Sequence, residues 1–235
     1  MKKAGNIANV SENQRTLVQS IEESGFAIVP QCLTEQSVER LCDQLGNTKH
    51  AQRNLLSVPA VRELAASEPV RQLVAAVLGE ECFAVRGMLF NKTSASNWKV
   101  VWHQDKTIAV RERKEVEDFG PWSMKAGVVH VQPPESVMDK MLAIRLHLDE
   151  SHEDNGPLRV VPGSHVVGSI SADEIAAWRA RTNVICTVPR GGAILMRPLL
   201  LHASSSSVQP ETRRVVHLEF AADELPGGLE WYDQI

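Results

Sequence analysis

Beyond Glu80 the chain breaks into short apolar runs separated by Gly, Pro, Asn and Asp, and this punctuation constrains its fold more than any other feature. Residues 83–90, 99–103, 141–148, 158–161, 184–188, 193–196 and 213–220 are each of strand length. Many short strands joined by polar turns read as a sandwich or jelly roll. Upstream the period changes. Val38, Leu41 and Leu45 recur at helical spacing before Gly46, and Val70, Leu73, Val74, Val77 and Leu78 do so before Gly79. Ser11, with Gln14 three residues on, has the form of a capping box for a first helix, which Gly25 ends. A short strand, 26–29, is then stopped by Pro30. The expectation is one domain over 1–235, mainly β with helical flanks: a helical part over 1–80 and a jelly-roll core over 81–235. Residues 110–134, charged and holding Pro133-Pro134, read as a lid-like insertion between strands.

Several classes of function fall away on bulk properties. A net charge of −4 with no basic block gives no footprint for nucleic acid or an anionic membrane. The N-terminus is polar where a signal peptide would be apolar, and no stretch is long and apolar enough to span a bilayer. Cys32, Cys42, Cys82 and Cys186 are scattered without a CxxC pair, which points to a reducing cytosol. A small-molecule partner is the remaining expectation; oligomeric state has no signature here.

Chemistry concentrates at Trp102-His103-Gln104-Asp105. Side chains alternate along a strand, so His103 and Asp105 point the same way and can share one metal ion. His202, ending the run Leu199-Leu200-Leu201, can supply a further ligand from a neighbouring strand. Two imidazoles and one carboxylate form a facial triad that leaves positions open, which suits non-haem Fe(II). Arg213 and Arg214 follow on the next strand, facing opposite ways, and only one of them can offer its guanidinium fork to a carboxylate ligand. Asp154-Asn155-Gly156-Pro157 and Pro162-Gly163-Ser164-His165 are turns flanking a short strand, and His165 reads as a turn residue, not a ligand.

The ordered pieces WHQD, DNGPLRVVPGSH and LLLHASSSS followed by RRVVHLEF, with the GFAIVP strand near the start, resemble the phytanoyl-CoA dioxygenase family over nearly the whole chain. The resemblance implies a double-stranded β-helix (cupin-like) and chemistry that uses Fe(II), 2-oxoglutarate and O2, releasing succinate and CO2. It implies that His103, Asp105 and His202 ligate iron and that Arg213 and Ser204 hold the far carboxylate of 2-oxoglutarate. It also places Met88 against that co-substrate. Asp105, where related halogenases carry a small residue, favours hydroxylation over halogenation and leaves desaturation or ring closure open.

Arg145 departs from the pattern, standing where family members carry an aromatic residue. Ala143, Arg145 and His147 share one strand face, so Arg145 points inward. It either binds an anionic group of 2-oxoglutarate or of the prime substrate, or pairs with a protein carboxylate. Trp98 and Trp102 flank the metal strand as pocket wall or as core. Arg111, Arg113, Lys114, Trp122, Lys125 and His130 in the insertion are either a grip for a small polar or anionic metabolite or a solvated surface. The competing readings are a cupin-like metalloenzyme that does not use 2-oxoglutarate and a non-catalytic binding protein of the same fold.

Overall fold

The computed structural model describes residues 12–46, 51–93, 96–208 and 212–235, so the expected cap at Ser11 lies outside the described residues. Helix α1 (Glu12–Ser24) ends where Gly25 takes φ +83° and donates its N–H to the Ile21 carbonyl at 3.1 Å. Strand β1 (Phe26–Val29) follows. Thr34 opens α2 (Glu35–Leu45) by accepting from the Ser37 N–H, and the stripe Val38, Leu41, Leu45 is buried as its spacing requires. Two further helices, α3 (Pro59–Ala66) and α4 (Glu68–Leu78), each carry proline in the first turn, where its missing N–H is harmless.

The β part comprises β2 (Phe83–Lys92), β3 (Val100–His103), β4 (Ile108–Val110), β5 (Trp122–Lys125), β6 (Val128–Val131), β7 (Met141–His147), β8 (Leu158–Val160), β9 (Val184–Cys186), β10 (Ala193–Met196), β11 (His202–Ser204) and β12 (Arg213–Ala221). A five-stranded sheet runs β1-β10-β7-β12-β2 and a four-stranded sheet runs β3-β11-β8-β9. All their pairings are antiparallel. The larger sheet divides its faces by the period of two. Leu142, Ile144, Leu146, Val216, Leu218 and Phe220 pack under the helices. Each such side chain contributes about 1.5–3 kcal/mol on full burial. Ala143, Ile194 and Met196 face the opposite way, meeting Leu158, Val160 and Cys186 of the smaller sheet. Two facing antiparallel sheets with the helices on one outer face make a double-stranded β-helix.

The insertion is ordered in a way its composition did not announce. With β4, its two strands form a separate antiparallel sheet, β4-β6-β5. Ile108, Val110 and Val131 bury one face of it against Leu225, Leu229 and Trp231 of the C-terminal segment. Short helices α5 (Glu135–Met138) and α6 (Ala172–Arg179) complete the chain. No described helix is long and apolar enough to cross a membrane.

Candidate active site

The register between the two strands of the smaller sheet sets His202 of β11 directly opposite His103 of β3. Opposed residues of an antiparallel ladder share a face, and the two imidazole centroids lie 4.2 Å apart. Asp105 sits past the end of β3, its main-chain N–H donated to the Pro198 carbonyl at 3.0 Å. Its Oδ1 is 3.7 Å from His103 Nε2 and its Oδ2 is 3.7 Å from His202 Nε2. All the donor atoms of this trio lie within 4.8 Å of one another.

Protonation states suit a cation. A carbonyl only accepts, so His103 Nδ1 donates to Val101 O at 2.9 Å and His202 Nδ1 donates to Leu200 O at 2.8 Å. Both tautomers are thereby fixed with the Nε2 lone pair aimed into the cluster. Burial works against the Asp105 charge, but His202, His217, His103 and Arg86 outweigh it and hold the carboxyl at about 2. Burial lowers His202 to about 4, leaving it neutral near pH 7. A neutral imidazole and an ionised carboxylate are the forms that bind metal. The donor set, two nitrogens and one oxygen on one side of an open pocket, fits a divalent iron.

Behind the trio the pocket runs between the sheets past Met88, Phe90 and Trp98 to Lys92, Arg145, Ser204 and Arg213. Lys92 was not anticipated from the sequence. It lies four residues beyond Met88 on the same strand face, the one signal that pointed to it, and the register sets it opposite Arg213. Its ammonium donates to Ser204 Oγ at 2.6 Å and to the Ser205 carbonyl. Burial first, then Arg213 and Arg145, brings its pKa down to about 7. Gly156 of the DNG turn is required here. It has φ +71°, and a Cβ would fall 2.4 Å from Ser205 O and 3.0 Å from Lys92 Nζ.

The two adjacent arginines part as the alternation demands. Arg214 is held outside by Asp149, with Nε–Oδ2 and Nη2–Oδ1 both 2.8 Å. Arg213 is 2% exposed, lines the pocket and leaves Nε unpartnered, its pKa pushed to about 10 by burial and Arg145. Arg145 also lines the pocket. Its Nη1 is 3.2 Å from His217 Nδ1, its guanidinium lies 5.0 Å from the Phe90 ring centre, and its Nε is unpartnered. Among the described residues no ion pair joins Arg145 to a carboxylate, and the carboxylate whose charge it feels is that of Asp105. His217 and Glu219 continue along β12, with His217 Nε2–Glu219 Oε1 at 3.3 Å and Arg86 Nη1–Glu219 Oε1 at 3.2 Å. Neither Arg86 nor Glu219 was singled out from the sequence.

The remaining candidates separate. Trp98 walls the pocket, whereas Trp102 packs with Val161, Ile170 and Leu201 and carries Arg159 5.7 Å from its ring centre. His165 bonds the Glu22 carbonyl at 3.1 Å and ties the β part to α1. In the insertion Arg111 pairs with Glu230, Arg113 with Glu115 and Lys114 with Glu112, all outside the pocket.

A family model described as Phytanoyl-CoA dioxygenase (PhyH) matches residues 21–215. No curated protein matches the chain. Among solved structures, EvdMO1 is 20% identical with a TM-score of 0.67, over 88% of this chain and 50% of that one. This chain thus spans half the length of EvdMO1. EctD from S. alaskensis, with 2-oxoglutarate and 5-hydroxyectoine, is 21% identical with a TM-score of 0.68, over 94% of this chain and 79% of that one. SnoK, a non-heme alpha ketoglutarate dependent carbocyclase from nogalamycin biosynthesis, is 14% identical with a TM-score of 0.68, over 92% and 85%. At these identities the likeness is one of fold.

Proposed function

The chain belongs to the phytanoyl-CoA dioxygenase family, and from that premise we propose that it is an Fe(II)/2-oxoglutarate-dependent oxygenase that hydroxylates a C–H bond of a small polar or anionic metabolite. The observation that carries this reading is a single pocket with a His–Asp–His cluster at one end and unpaired basic groups at the other. That spacing of a metal site from cations suits a dicarboxylate keto acid lying between them. EctD, on the same fold, has been solved with bound Fe and with 2-oxoglutarate.

His103, Asp105 and His202 would hold the iron. When bound it supplies the redox centre at which O2 and 2-oxoglutarate are consumed, with succinate and CO2 as products. The residues around it fix geometry. The Val101 and Leu200 carbonyls orient the two imidazoles. Arg213 offers its fork, and Lys92 its ammonium, to the distal carboxylate, with Ser204 adding a hydroxyl. Ser204 is itself held by donation to the Gly156 carbonyl at 2.9 Å. Arg145 faces the same co-substrate beside Phe90, and Met88 lines its path. Phe90 and Trp98 exclude water, which strengthens every charge interaction in the pocket. Asp105 fills the carboxylate position that a halide would need, which favours hydroxylation. The reducing cytosol suits four cysteines without a disulfide.

An anaerobic titration with Fe(II) and 2-oxoglutarate tests the reading. A metal-to-ligand charge-transfer band is expected, absent in His202→Ala, with succinate formed on admitting O2. A band that survives His202→Ala unchanged, or no succinate, overturns it.

A further inference from the structure

A second group of basic side chains lies just outside the pocket lining, touching it through Met88, and the co-substrate reading leaves it unused. Along the inward face of β12, Arg213 and Glu219 stand six residues apart, roughly 20 Å of strand. The register puts Lys92 beside the first and Arg86 beside the second. Arg53 joins at the Glu219 end: its segment pairs with the edge of β2 through Gln52 and Leu89, and its Nη1 reaches Met88 Sδ at 3.6 Å. Lys125 joins from the insertion. It shares a face of the small sheet with Val128 and His130, opposite to the face that Ile108, Val110 and Val131 bury. Its ammonium donates to Thr107 Oγ1 at 2.8 Å, two residues past Asp105.

Arg86 has Glu219 as its counter-ion. Arg53 and Lys125 have none: among the described residues, the partners recorded for them are a thioether and a hydroxyl. Burial first, and then neighbouring cations, lowers the pKa of both, although Glu219 and Asp105 offset part of that shift. The charges each feels are those of Arg86, Glu219, Asp105 and, for Lys125, Arg53. Lys92 feels only Arg213 and Arg145. The basic groups therefore form two poles, with Asp105 between them. On the oxygenase reading one dicarboxylate would occupy the deep pole, and the mouth pole is left for a different anion.

We propose that Arg53 and Lys125, beside the Arg86–Glu219 pair, receive a carboxylate of the prime substrate and hold the rest of that molecule over the His103–Asp105–His202 cluster. The substrate class is then a small carboxylic acid. This rests on the oxygenase reading of the site.

The test uses the full chain loaded anaerobically with Fe(II) and 2-oxoglutarate. The probe is a set of aliphatic, aromatic and amino-acid-derived monocarboxylates, each beside its primary amide. The charge-transfer band reports the oxygenase reading before any probe is added, so its absence sinks that reading and not merely this inference. With the band present, acids are expected to perturb it and the matching amides not to. Arg53→Gln and Lys125→Gln should each raise the half-saturating acid concentration at least about ten-fold, while the half-saturating 2-oxoglutarate concentration does not follow. Their band intensity in 2-oxoglutarate alone reports that each variant is folded. Amides that act as well as acids, or a set in which no acid acts, overturn the proposal.

Discussion

The two poles of the pocket are made of the same residue types in opposite circumstances. Lys92, Arg145 and Arg213 project from the adjacent strands β2, β7 and β12 of the larger sheet and are buried. Arg53, Arg86 and Lys125 come from a connecting segment, the outer strand β2 and the insertion, and solvent reaches all of them. A buried cation without a counter-ion costs several kcal/mol of desolvation. A fold carries such groups only where a ligand returns the charge. On the proposed reading the deep pole would be matched to the co-substrate anion, and the mouth, nearer to water and drawn from a connecting segment, an edge strand and the insertion, would set specificity. The difference also separates how each pole fails.

Arg213→Ala is the severest break. Truncating one side of a buried charge pair costs about 2–5 kcal/mol, so the 2-oxoglutarate Kd is expected to rise by at least about thirty-fold, read from the charge-transfer titration. Arg53→Ala is expected to leave that Kd within about two-fold. Equal losses in the two variants would erase the distinction between the poles.

The next largest effect is of pH. The Lys92 ammonium titrates at about 7 in the free pocket, and an incoming carboxylate raises that value. Below pH 7 the ammonium is already charged and binding is at full strength. Above it, binding must take up a proton, so the 2-oxoglutarate Kd is expected to rise by up to about ten-fold per pH unit until the bound-state pKa is reached. Folding has the opposite sign: the free protein gains stability as pH rises from 7 towards the ordinary lysine value, because the unfolded chain then holds the extra proton. Lys92→Met should flatten both profiles. Calorimetry in buffers of different ionisation heat measures the proton directly, and an unchanged slope in the variant would refute the assignment.

What could be read before the structure follows the same division. A sandwich or jelly roll was legible in the short punctuated strands, and the family resemblance narrowed it to a double-stranded β-helix; Ile144 and Leu146 point to the helices while Ala143 and Arg145 point inward. His103, Asp105 and His202 were legible as types in an ordered motif, and strand register then brought them together. Lys92 was not. A lysine at a strand end is nearly always solvated, and only the close approach of Ser205 and Gly156 around it buries this one. Arg53 was invisible for a different reason: it lies in an irregular segment, and no local period says which way such a residue points. The insertion misled by composition. Its charges are real surface at Arg111 and Lys114, but Lys125, on the sheet face opposite the one Val131 buries, is held half-buried by Thr107.

Salt should sharpen the contrast further. Exposed charges are screened beyond a Debye length of about 8–10 Å at moderate ionic strength, and buried ones much less. Acid binding at the mouth is expected to weaken about three-fold or more between low and high salt, with 2-oxoglutarate binding weakening less. Parallel salt dependences would mean that both anions meet solvated groups.

The smallest functional effect is expected where an arginine lies outside both poles. Asp149 accepts from the Arg214 main-chain N–H at 2.8 Å as well as from its guanidinium, pinning β12 at the residue next to Arg213. Asp149→Asn keeps the shape and weakens a charge-assisted bond, so a loss of about 1–2 kcal/mol in unfolding free energy is expected. The side chain faces away from the pocket, and the 2-oxoglutarate Kd should move less than about two-fold. A larger rise would mean that Arg213 is positioned through its neighbour and not by the strand alone. Chemical denaturation and the band titration on the same variant separate the two outcomes, because a slipped β12 would alter both, and a merely weakened clasp only the first.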